Sequence, residues 1–143
     1  MNSKLILSIT RVAMGWLFLY AGLTKVFNPE WSAAGYLGNA KTFPEFFNWF
    51  LRPEILPFTN LVNEWGLTLL GVSLILGVFV KYSGYLGALL MLLYYFSALD
   101  FPKIGANSYL VDEHIIYALI LLYLVLVKAG DYWGFDGWRK NRK

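Results

Sequence analysis

The strongest constraint on this chain is the spacing of its charges. Four stretches, roughly residues 5–27, 61–80, 82–99 and 109–127, are almost wholly apolar and about 18 to 23 residues long. At 1.5 Å of rise per residue, helices of that length cross a hydrocarbon core about 30 Å thick. A composition of 58% hydrophobic and 15% charged residues, with a mean hydropathy of +0.52, leaves too little polar surface for a soluble globule of 143 residues. The expected fold is an all-α integral membrane protein, a four-transmembrane-helix bundle forming a single domain over 1–143. The short link around "KYSG" makes the second and third helices antiparallel neighbours. The N-terminal apolar run continues past the usual core of a signal peptide, with no A-x-A-like cleavage site, and reads as the first membrane helix.

Composition also removes chemistries. With no cysteine, the chain by itself runs no thiol relay and holds no iron–sulfur cluster or thiolate zinc site. One histidine cannot supply a bis-histidine haem or a histidine-rich metal site. No haem, iron–sulfur or metal site is therefore expected, and a redox role needs a small bound cofactor or a partner. The net charge of +3 is too small to argue for a nucleic-acid groove. The expected partners are the lipid bilayer and either a partner protein or further copies of the chain.

The basic residues report orientation instead. With both termini cytoplasmic, eight Lys/Arg residues fall on the inner side (Lys4, Arg11, Lys81, Lys128, Arg139, Lys140, Arg142, Lys143) and four on the outer side (Lys25, Lys41, Arg52, Lys103). That bias predicts a multi-pass protein, N-in and C-in, and the expected location is the cytoplasmic (inner) membrane of a prokaryote. Residues 28–60 then lie outside. Their aromatics, with prolines at 44, 53 and 57, suit short helices in the headgroup zone better than a solvated linker. This aromatic-rich interfacial loop between helices 1 and 2 is expected to cap the outer mouth, either as a belt that anchors it or as a lid over a ligand, with Trp49 as a candidate binding residue.

Arg11, Gly15, Phe18, Gly22 and Lys25 fall at offsets 0, 4, 7, 11 and 14, and at about 100° per residue they share a stripe roughly 80° wide. Glycines on such a stripe admit a neighbouring backbone, so this face should point into the bundle. Glu64, Thr68 and Gly71 repeat the pattern on the second helix. Lys25 and Glu64, at similar depth on inward stripes, are expected to pair, because an isolated charge near the bilayer core is costly. Arg11 either snorkels to the headgroups or binds an anionic group inside the bundle.

The run Ile115–Val127 contains no charge but, at thirteen residues, covers only about 20 Å. Asp112, Glu113 and His114 are thereby drawn toward the outer end of the bundle. Three successive helical residues cannot all face inward. Helical periodicity favours Glu113, His114 and Tyr117 as the inward trio over Asp112. An imidazole beside a carboxylate suits a proton relay near neutral pH or, equally, a structural hydrogen bond between helix ends.

The stretches "RVAMGWLFLYAGLTKVFNP", "NEWGLTLLGVSLILGV" and "KAGDYWGFDGW" resemble the DoxX family, the last of them its DoxD-like branch, small membrane subunits associated with thiosulfate:quinone oxidoreductase. The resemblance implies a four-helix membrane protein tied to redox systems, with family positions at Arg11, Gly15, Gly22, Lys25 and Glu64. It leaves two functional classes. One is a membrane subunit of a quinone-linked oxidoreductase, not a complete enzyme alone, in which Glu64, Glu113 or His114 relays protons and Arg11, Lys25, Tyr117 and Trp49 are candidate binding residues. The other is a noncatalytic anchor or assembly factor for a partner complex, in which the same charges fix helix register.

Overall fold

The computed structural model describes residues 2–142; Met1 and Lys143, the latter among the inner basic residues counted above, lie outside the described residues. The chain is mostly helical, and its framework is four long helices: α1 (Ser3–Val26), α4 (Leu56–Leu76), α5 (Val80–Ala98) and α6 (Glu113–Leu126). Two short helices, α2 (Ala34–Leu37) and α3 (Pro44–Trp49), interrupt the connection between α1 and α4, and α7 (Phe135–Lys140) follows a 3-10 turn at Ala129–Asp131. Among the described residues, α1 alone is long and apolar enough to cross a membrane by length and composition, with a mean hydropathy of 1.5. Helix α6 is apolar but only 14 residues long.

Local chemistry sets the boundaries. The Asn2 side chain caps α1 by accepting from Lys4 N at 3.1 Å, which satisfies one of the orphan donors of the first turn. Pro57 sits in the first turn of α4, where a missing N–H costs nothing. Gly77 ends that helix at φ +67°, a left-handed conformation that glycine reaches without steric penalty. The turn to α5 is complete by Val80, so "KYSG" lies in the first turns of α5 and not between helices as expected. Likewise α4 starts at Leu56, ahead of the expected 61, and α6 starts at Glu113, behind the expected 109.

The all-α expectation needs one amendment. Between α5 and α6 the chain folds into three two-residue antiparallel strands, β1 (Leu99–Asp100), β2 (Lys103–Ile104) and β3 (Ser108–Tyr109), in the order β1-β2-β3. Gly105 at φ +62° makes the β2–β3 turn. Residues assigned from hydropathy to the start of the fourth helix are thus partly strand.

The helices pack chiefly as two pairs, α1 on α4 and α5 on α6. The first pair meets along the small-residue stripes. A Cβ added at Gly15 would lie 2.9 Å from Gly71 O, one at Gly71 would lie 2.6 Å from Leu19 Cα, and one at Gly22 would lie 2.5 Å from Thr68 N. Backbones this close leave no room for a side chain, as expected where helices associate by packing of small residues. Phe18, Leu67, Leu74, Met91, Leu121 and Leu124 join the pairs in a common core. Helices α4 and α5 touch less, and an apolar groove of about 600 Å³ opens between them, from Val78 and Phe79 at one end to Val62 and Leu93 at the other.

Candidate functional site

Polar groups concentrate at the two ends of the bundle. At the end holding the α1–α4 connection, Asp112 is only 8% exposed. Its extended backbone places it at the N-cap of α6, where one carboxylate oxygen accepts from His114 N at 3.0 Å and Ile115 N at 3.2 Å. The other oxygen lies 2.5 Å from His114 Nδ1. The imidazole stands edge-on to Tyr94 of α5, with ring centroids 5.7 Å apart. The Tyr94 hydroxyl donates to Asn63 Oδ1 of α4 at 2.5 Å, and Asn63 Nδ2 donates to Thr59 O at 2.7 Å. Groups from α4, α5 and α6 thereby form one polar cluster at the helix ends.

The aromatic connection covers this cluster. Tyr36 of α2 packs edge-on against Tyr94 at 5.4 Å. Its phenol is pushed well above the usual range, first by burial and then by the neighbouring Tyr94 hydroxyl. Around it, Ala33, Leu37, Ala40 and Phe47 form a second small core. Asn60 Oδ1 accepts from Ala33 N at 2.9 Å, Thr42 donates to Leu99 O at 2.7 Å, and Lys41 pairs with Asp100 at 2.6 Å. The first two of these are part-buried ties; the third is exposed and adds little.

At the other end stands Arg11, 2% exposed. Nη1 donates to Ala129 O at 3.3 Å and Nη2 to Trp133 O at 3.2 Å, so the side chain does not snorkel, and its Nε is buried with no partner among the described residues. It is enclosed by the segment after α6. Asp136 of that segment accepts from Phe79 N at 3.0 Å and Val80 N at 3.1 Å, and its own N donates to Gly77 O at 2.9 Å. The C-terminal segment therefore closes the bundle by giving carbonyls to Arg11 and a carboxylate to the first turn of α5.

The expected Lys25–Glu64 pair is absent: among the described residues neither side chain makes an ion pair. Lys25 Nζ donates to Ala21 O at 3.1 Å and lies 5.4 Å from the Trp31 ring centroid. A carbonyl one turn back and an aromatic face satisfy the ammonium more cheaply than a second buried charge. Glu64 is half-buried beside Thr68, whose hydroxyl donates to Glu64 O at 2.8 Å. The preference for Glu113 over Asp112 is also reversed. Glu113 is exposed, because Asp112 precedes the helix and helical periodicity does not govern its direction. Tyr117 shares the face of His114 and meets Phe18 edge-on at 6.0 Å. Trp49 is 47% exposed and packs on Phe50. Asn63, Tyr94, Tyr36 and Asp136 were not anticipated. An Asp directly before an apolar run is a recognisable cap signal; the cross-helix partners carry no such mark.

Apolar side chains point away from the bundle on every long helix, among them Ile9 and Trp16, Trp65 and Leu69, Leu86 and Leu89, and Leu119 and Leu126. With the apolar α1, this outward surface defines the chain as a helical membrane protein. The sequence model of the DoxX family, described as DoxX, matches residues 6–100, and the chain belongs to that family. The match covers the Arg11–Lys25 stripe and its partners on α4. No curated protein and no solved structure matches the chain.

Proposed function

We propose that the protein is a four-span, N-in, C-in subunit of a quinone-linked oxidoreductase system in the cytoplasmic membrane, of the DoxD-like kind. The observation that supports this reading is the cluster Asp112–His114–Tyr94–Asn63, two of whose members are chain neighbours of residues that line one end of the apolar groove between α4 and α5. Val62 and Leu93 at the groove's upper rim directly precede Asn63 and Tyr94 in the chain. The residues fit a quinone. An open apolar groove suits an isoprenoid tail, and a phenol, an amide and an imidazole suit the oxygens of its ring. A bound quinone would supply the electron-accepting chemistry. The chain's own part would be to orient the ring through the Asn63 amide, which Tyr94 holds in place, and to hold or pass a proton at His114, with Asp112 fixing the imidazole. Asp112 replaces Glu113 in this role.

The test is to purify the full chain in mild detergent, extract the lipids and quantify quinone, then titrate added quinone against tryptophan fluorescence. His114→Gln should weaken binding about tenfold, the loss of one hydrogen bond, and Tyr94→Phe should weaken it by releasing the Asn63 amide that the Tyr94 hydroxyl holds. Protein that carries no quinone and does not respond to it overturns the reading. The anchor reading draws on Arg11 and Asp112, both engaged in holding chain segments together. Under it, the same variants would disturb assembly with a partner complex while leaving no quinone effect to measure.

A further inference from the structure

A second cavity, of about 510 Å³, lies at the opposite end of the bundle, between the start of α5, the end of α6 and the C-terminal segment. Lys81, Lys128, Arg139 and Lys140 stand on its rim, and Asp131 and Asp136 are the acidic groups there. Both carboxylates are engaged. Asp131 pairs with Lys140, and Asp136 accepts from the backbone N–H groups of Phe79 and Val80. Arg139 lies 5.6 Å from the Phe79 ring centroid, and Lys81 and Lys128 have no ion pair among the described residues. The rim is therefore positive in excess.

The floor is of the opposite character. Tyr85 and Leu126, 49% and 74% exposed, bound an apolar trough between α5 and α6 over buried Leu124 and Val125. The surroundings mark the depth in the bilayer. Tyr82, Trp133, Phe135 and Trp138 are all more than half exposed around this end, as aromatic side chains are at the boundary between headgroups and hydrocarbon. Free phosphate would use the rim and leave the trough empty; an acyl chain alone would use the trough and leave the cations unmatched.

We infer that this cavity is a binding site for an anionic phospholipid, its phosphate held by Lys81, Lys128 and Arg139 and one acyl chain lying along Tyr85 and Leu126. Basic pockets between membrane helices take acidic headgroups through this combination of charge and apolar contact. The site requires only that the chain lie in a membrane; it depends neither on the quinone reading nor on which side the termini face.

The test reconstitutes the full chain into nanodiscs of phosphatidylcholine containing phosphatidylglycerol and measures the lipids retained after transfer to detergent by native mass spectrometry. One phosphatidylglycerol per chain should persist, and each of Lys81→Gln, Lys128→Gln and Arg139→Gln should weaken its retention about fivefold. Lys41→Gln and Lys103→Gln, at the other end, should leave it unchanged. On the unmodified protein, raising the salt should release the lipid progressively, a measurement that needs no variant to fold. Equal retention of phosphatidylcholine, indifference to all three substitutions, or full displacement by inorganic phosphate at the salt concentration that leaves the lipid bound would overturn the inference.

Discussion

Asp112 and His114 hold each other at two points: the carboxylate accepts from the backbone N of His114 at 3.0 Å and stands 2.5 Å from its Nδ1. One side chain thus starts α6 and sets the direction of the imidazole. Asp112→Asn keeps an N-cap acceptor and should cost little stability, whereas Asp112→Ala should cost about 1 kcal/mol from the cap alone. Thermal unfolding in detergent compares the two, and equal melting temperatures for both variants would show that the cap contributes nothing.

Arg11 is joined to the C-terminal segment through carbonyls that no other side chain serves among the described residues. Arg11→Met should destabilise the protein by about 2 kcal/mol or more, since two charge-assisted hydrogen bonds are lost. The segment after Lys128 should then become susceptible to trypsin. Gly77→Ala should act alike, because a Cβ there would run into the guanidinium and 2.6 Å from Gly134 Cα, at a φ of +67°. A digestion pattern identical to that of the unmodified protein in both variants would contradict this account.

The glycines of α1 and α4 separate into two kinds. Gly71→Ala drives a methyl group to 2.6 Å from Leu19 Cα, and Gly22→Ala drives one to 2.5 Å from Thr68 N. Each should cost about 1 to 3 kcal/mol by overpacking. Gly66→Ala meets only Val62 Cγ1, at 4.0 Å, and should be neutral or stabilising by up to about 1 kcal/mol through helix propensity. The ranking of the three melting temperatures is the measurement.

Lys25 and Glu64 have separate surroundings, so their substitutions should add. In a double-mutant cycle with Lys25→Gln and Glu64→Gln, the coupling energy should stay below about 0.5 kcal/mol. A larger coupling would restore the ion pair that periodicity suggested.

The stripe Arg11–Gly15–Phe18–Gly22 was legible because helical periodicity alone decides which residues share a face, and all four are buried. What those residues touch was less accessible. Lys25 and Glu64 lie on facing stripes, yet a long side chain chooses its partner after the loop has folded, and Trp31 arrives from a connection whose course no periodicity encodes. Asp112 escapes helical periodicity for a different reason: its φ of −125° and ψ of −175° put it outside α6, at the N-cap. The Tyr94–Asn63 bond joins residues 31 positions apart on different helices, and single-chain pattern carries no information about such a meeting. The same holds for Asp136 and the first turn of α5.

The bond from Arg11 to Ala129 spans 118 residues, and that distance imposes an order on biogenesis. When α1 enters the bilayer, the carbonyls that will receive its guanidinium have not yet left the ribosome. The young helix must hold a bare cation, costly at depth, until the rest of the chain has been made. During that interval the long side chain is free to snorkel toward the headgroups. Residues 129–133 then supply the two peptide carbonyls that receive the guanidinium. A chain that ends before Ala129 therefore lacks both carbonyls that receive the guanidinium in the finished fold.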